Sequence, residues 1–120
     1  MPSDRPLIRL EDILENIDRI ERYTRDHDFE MFASDQQTQD AVERCLLRIS
    51  EAARKLGSAA DSLVPGQPWS DIRDVGSVLR HDYDDIAPNI IRKIVAEYLD
   101  PLRDAIEAAI GKLRNTDSTN

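Results

Sequence analysis

Leu10, Ile13, Leu14, Ile17 and Ile20 recur at steps of three and four residues. A strand turns alternate side chains to opposite faces, so only a helix gathers this spacing onto one stripe. Glu11, Asp12, Glu15, Asp18 and Arg19 fill the other side, which makes the segment amphipathic. The same period returns along the chain, and no stretch shows the apolar–polar alternation of a half-buried strand. Glycine (4) and proline (6) are scarce, and charged residues make up 33% of the 120. An all-α fold follows.

The periods divide the chain. A first helix is expected from Leu7 to about Tyr23, followed by a loop, Thr24–Ser34, whose Phe29, Met31 and Phe32 should tuck against the core. A second helix runs from Asp35 to about Leu56, with Ser34 or Asp35 as N-cap and Gly57 as the stop. Ala41, Val42, Cys45, Leu46, Ile49, Ala52, Ala53 and Leu56 mark its buried face. Ser58–Pro68, with Pro65, Gly66 and Pro68, reads as a connecting loop. A third helix begins near Trp69, with Ser70 as a possible cap and Trp69, Ile72, Val75 and Leu79 on one face. Pro88 suits the first turn of a fourth helix, and Pro101 either kinks that helix or begins a fifth, which ends near Leu113. The sum is an up-and-down bundle of four to five helices over residues 7–113, with an N-terminal tail at 1–6 and a disordered polar tail at 114–120. A chain of this size buries a modest core, so a partner subunit would help it.

Charge and cysteine usage narrow the functional classes. A net charge of -8 disfavours a broad nucleic-acid surface but leaves room for a cleft that concentrates a few arginines. One cysteine, Cys45, excludes an internal disulfide and lies on an apolar face, where it reads as a core residue. No segment reads as a signal peptide or a membrane span, so a cytoplasmic location is expected. The two histidines, His27 and His81, show no zinc-ligand spacing, and neither a metal nor a cofactor is expected.

Candidate chemistry concentrates at the end of the third helix, in Ser77-Val78-Leu79-Arg80-His81-Asp82-Tyr83. At about 100° per residue, Arg73, Ser77, Arg80 and His81 share roughly a third of the helix circumference, with Tyr83 on an adjacent flank. Imidazole exchanges protons near neutral pH, and guanidinium offers paired donors to phosphate oxygens. RNA carries its own nucleophile, the 2′-hydroxyl, so a base and charge stabilisation suffice for cleavage without a metal. The residues alone fit a plainer reading as well: Arg80 and His81 as favourable charges at a helix C-terminus, and Tyr83 as a half-buried packing residue.

The order Pro68-Trp69, Ile72-Arg73, Leu79-Arg80-His81-Asp82-Tyr83-Asp84, Ile94-Val95 and Leu99-Pro101-Leu102 resembles the HepT-like HEPN family. Leu10-Asp12-Ile13 and Ala41-Val42 through Ile49-Ser50-Glu51-Ala52-Ala53 resemble its first two helices, so the likeness covers about residues 7–113. The resemblance implies a dimeric helical bundle whose two motifs meet in a cleft. It also implies a metal-independent endoribonuclease toxin, and a nucleotidyltransferase antitoxin able to attach AMP to the motif tyrosine. The family motif is an arginine, four to six residues, a histidine, any residue and a tyrosine. By that pattern His81 is the catalytic histidine and Tyr83 the tyrosine open to adenylylation. The arginine departs from the pattern: Gly76-Ser77 stands where arginine-asparagine is usual, Arg73 is one residue too far and Arg80 too close. A recurring variant with glycine at that position makes Arg80, or Arg73 from one turn earlier, the phosphate-holding charge, with Ser77 in support. The alternative implied by the missing arginine is a non-catalytic module that binds a nucleotide or a partner.

Overall fold

A computed structural model describes the backbone of residues 5–81 and 86–119, and their side chains except 78, 80, 81, 86–88 and 116–119. The described residues form helices only: α1 (Pro6–Thr24), α2 (Phe29–Ser34), α3 (Gln36–Leu56), α4 (Ala59–Leu63), α5 (Trp69–His81), α6 (Ile86–Glu97) and α7 (Leu99–Thr119). Five are long and two, α2 and α4, are a turn or so each, so the expected all-α bundle is what the chain forms.

The stripe that opened the sequence becomes the centre of the core. Leu10, Ile13, Ile17 and Ile20 of α1 are fully buried, chiefly against Val42, Cys45, Leu46, Ile49, Ala53 and Leu56 of α3. Helix α7 closes the other flank of α1 with Leu102, Ile106 and Ile110, and α5 packs on α3. Helices α1 and α7 run antiparallel, since Asp18 and Glu21 meet Arg103 while Glu11 meets Arg114.

Local chemistry sets most of the boundaries. Asp35 caps α3 by accepting from the Thr38 amide at 3.1 Å. Gly57 ends the helix at φ 58°, a conformation that a side chain disfavours. The stretch expected as a loop between α3 and α5 contains α4, because Ala60 and Val64 supply core contacts that a single helical turn delivers. Helix α5 begins at Trp69, so Ser70 lies inside it and not at its cap. The Trp69 ring is buried and its Nε1 donates to the Val64 carbonyl at 2.9 Å, which pins the α4–α5 turn. At Pro101 the second of the two expected outcomes holds: α6 stops at Glu97, and α7 takes Pro101 in its first turn, where proline forgoes no helical hydrogen bond.

The loop expected after α1 is also partly helical. Of the three residues expected to tuck in after α1, only Phe32 is buried; Phe29 and Met31 stay exposed, because that segment is helix α2 and a single helical turn can bury only one side. Helix α7 runs on to Thr119, past the neighbourhood of Leu113 where the sequence pattern ended it. Extending an existing helix costs far less than starting one.

Candidate active site

Helix α5 is held to α3 one turn before the Gly76-Ser77 step. The Arg73 carbonyl accepts from Ser50 Oγ at 2.8 Å and from both Nε and Nη2 of Arg54, at 3.1 and 2.8 Å. In return, Arg73 Nη2 donates to the Gly57 carbonyl at the C-terminal end of α3, at 2.7 Å. Four hydrogen bonds thus fix the axial position of α5, and with it the backbone of Arg80 and His81, which end the helix. Ser50 is buried, so its hydroxyl needs this partner.

The arrangement turns the Arg73 side chain away from the C-terminal end of α5. Side chains on a helix lean towards its N-terminus, and that of Arg73 reaches back to Gly57. His81 lies eight residues further along α5, about 12 Å of helix rise in the other direction. Arg80 immediately precedes His81 on the same helix. Gly76 is buried and Ser77 half-buried, at the positions where the family pattern places its arginine-asparagine pair. Asp82, Tyr83, Asp84 and Asp85 lie outside the described residues.

Beside the site runs an apolar groove of about 390 Å³ between α3, α5, α6 and α7. Ile72 and Val75 of α5 face Ile94, Tyr98 and Leu102 across it, and Tyr98 is 48% exposed. Sequence periodicity put Ile72 and Val75 on one helical face and could not show that a groove remains beside them. Ser50 and Arg54 also escaped notice as the residues that hold α5 to α3. Ser50 appeared only as part of the stretch resembling the family's second helix, and a buried hydroxyl at an apolar position is the signal it left.

The remaining candidates are quickly placed. Burial pushes the Cys45 thiol up, and its side chain is a core element. His27 Nε2 meets Asp35 Oδ2 at 2.9 Å at the start of α3. No group of three or more histidine, cysteine, aspartate or glutamate side chains among the described residues could hold a metal ion. Among those residues no helix is long and apolar enough to cross a membrane.

The chain is similar in sequence to known proteins. The family described as "Ribonuclease HepT-like" matches residues 13–109. A Thermococcus cleftensis protein, "Probable ribonuclease HepT", is 36% identical over 98 residues, covering 82% of this chain and 89% of that protein. Two Methanocaldococcus jannaschii proteins, "Putative RNase MJ1380" and "Putative RNase MJ0127", are 30% and 37% identical over 82% and 79% of this chain, and over 90% and 78% of their own lengths. No solved structure matches.

Proposed function

Because the chain belongs to the HepT-like ribonuclease family, we propose that it is a metal-independent endoribonuclease acting at the C-terminal end of α5. The observation that supports this most is His81 at the end of a helix held in place by the Ser50–Arg54–Arg73–Gly57 contacts. His81 takes the proton of an RNA 2′-hydroxyl, whose oxygen then attacks the adjacent phosphorus. The bond from phosphorus to the 5′-oxygen breaks, that oxygen takes up a proton, and a 2′,3′-cyclic phosphate and a 5′-hydroxyl remain. Charge grows on the phosphate oxygens in the transition state, which a guanidinium stabilises. Arg80 fills that role, since the Nη2 of Arg73 already serves Gly57. Ser77 supports the site, and Tyr83 shapes it.

The enzyme works as a homodimer that brings two motifs into one cleft. The apolar groove lined by Ile72, Val75, Ile94 and Leu102 gives a second copy surface to cover, and it shares α5 with the motif. A nucleotidyltransferase antitoxin silences this toxin by transferring AMP to the Tyr83 hydroxyl, with pyrophosphate leaving. Incubation with such an enzyme and ATP should add the mass of one AMP to the native chain and none to Tyr83→Phe.

A second reading, a non-catalytic module that binds nucleotide or partner, draws on the glycine at the motif arginine's place and on the engagement of Arg73. RNA incubated with the purified protein in excess chelator separates the two. Cleavage ending in cyclic phosphate supports the nuclease, and intact RNA at every concentration supports the module.

A further inference from the structure

A second pocket, of about 330 Å³, lies between the end of α1, α2 and α6, away from the Arg73 contacts. Its floor is apolar, built from Phe32, Val95 and Ala96. Its rim carries a flat cation: the Arg92 guanidinium lies over the Phe29 ring, 4.6 Å from the centroid. Both side chains are exposed, although nothing in the helical pattern requires a large aromatic there. His27 lines its wall, with Nε2 held by Asp35 and Nδ1 buried.

We propose that this pocket is a subsite for one unpaired nucleobase of the RNA strand, outside the cleavage centre. The inference rests on the nuclease reading for the identity of the ligand. The volume suits a single base, and small-ligand sites begin at about this size. Single-stranded RNA is recognised by stacking bases on aromatic rings and guanidinium planes, with polar side chains reading the base edge. Phe29 and Arg92 supply the stacking surface, over the apolar floor of Phe32 and Val95. Stacking also suits an acidic protein, because a base, unlike the phosphate backbone, is neutral. Position agrees: His81 and Ile86 are five residues apart, so their Cα atoms lie within about 18 Å. Arg92 follows after about 9 Å of helix rise. One strand can therefore reach both places.

The test uses the full chain, a single-stranded RNA carrying one 2-aminopurine, and steady-state cleavage alongside direct binding in the His81→Ala background. Phe29→Ala and Arg92→Ala should each raise KM about tenfold with kcat changed less than about twofold, and weaken binding by the same factor. Phe29→Tyr should behave as native, and Arg92→Lys should recover only part of the loss, since lysine keeps the charge but not the plane. Unchanged KM and binding in both alanine variants overturn the proposal. So does full recovery by Arg92→Lys with no effect of Phe29→Ala, which means surface charge alone. If native protein binds RNA in a Phe29-dependent way but does not cut it, the subsite stands and the nuclease reading falls. If it cuts RNA with KM indifferent to Phe29, the reverse holds.

Discussion

Arg73 lies eight residues before His81, and its side chain reaches back to the end of α3. Sequence spacing put the two on one helical face, but a shared face does not mean a shared target when long side chains lean towards the helix N-terminus. Arg73→Ala should therefore act mainly on stability. It removes a charged donor from a helix C-terminus, a loss of about 1 kcal/mol, measurable by urea unfolding. Arg80→Ala should instead lower kcat by about 10²–10³ with little change in unfolding midpoint. At the other end of α3, Asp35 accepts from the Thr38 hydroxyl and amide and meets His27, and these contacts lower its carboxyl to about 2 from the ordinary 3.8. A lowered carboxyl stabilises the fold wherever it is ionised. The contribution is full above the ordinary value and is lost as pH falls towards 2. Asparagine caps helices as well as aspartate does, so Asp35→Asn isolates the charge. Its melting temperature should lie below native at pH 6, with the gap closing as the pH is lowered towards 2.

At the scale of elements, periodicity was enough to find the long helical segments, because each turns one apolar stripe to the core, but it left open whether Pro101 kinks one helix or begins another. The sequence stripe of α1 is the fully buried set Leu10, Ile13, Ile17 and Ile20, with Leu14 packed at its edge. Ile17→Ala should cost about 2–5 kcal/mol and lower Tm by roughly 10 °C or more, by differential scanning calorimetry. The short elements were not legible. Helices α2 and α4 span 6 and 5 residues, less than two turns, so no period can establish itself. What fixes them is tertiary: Phe32, Ala60 and Val64 reach the core, and the buried Gln39 amide donates to the Phe32 and Ala33 carbonyls at the end of α2. The α3–α5 connection was hidden for a similar reason. Ser50 and Arg54 are ordinary helix residues until α5 brings the Arg73 carbonyl to them, 23 and 19 positions away. Of the candidate site, sequence could name the residue types and their helix. It could not show that one of the two arginines is held elsewhere.

For the whole molecule, the net charge of -8 means RNA must be gripped locally. Each phosphate neutralised on a single strand contributes about -0.7 to the slope of log affinity against log salt. A dimer using one Arg80 from each copy should show a slope near -1.4, far shallower than a protein with a basic RNA-binding surface, and a titration from low to high salt measures it. Dimerisation itself should give way when charge enters the apolar groove: Val75→Asp should shift the mass from light scattering to that of one chain and remove cleavage with it. The central claim is that His81, at the end of a braced α5, performs metal-free RNA cleavage. Its most direct test is the rate of single-stranded RNA cleavage in excess EDTA by native protein and His81→Ala side by side. The account predicts cleavage to 2′,3′-cyclic phosphate ends by the native chain and loss of it in the variant. Equal cleavage by both, or cleavage that stops when EDTA is added, would contradict it.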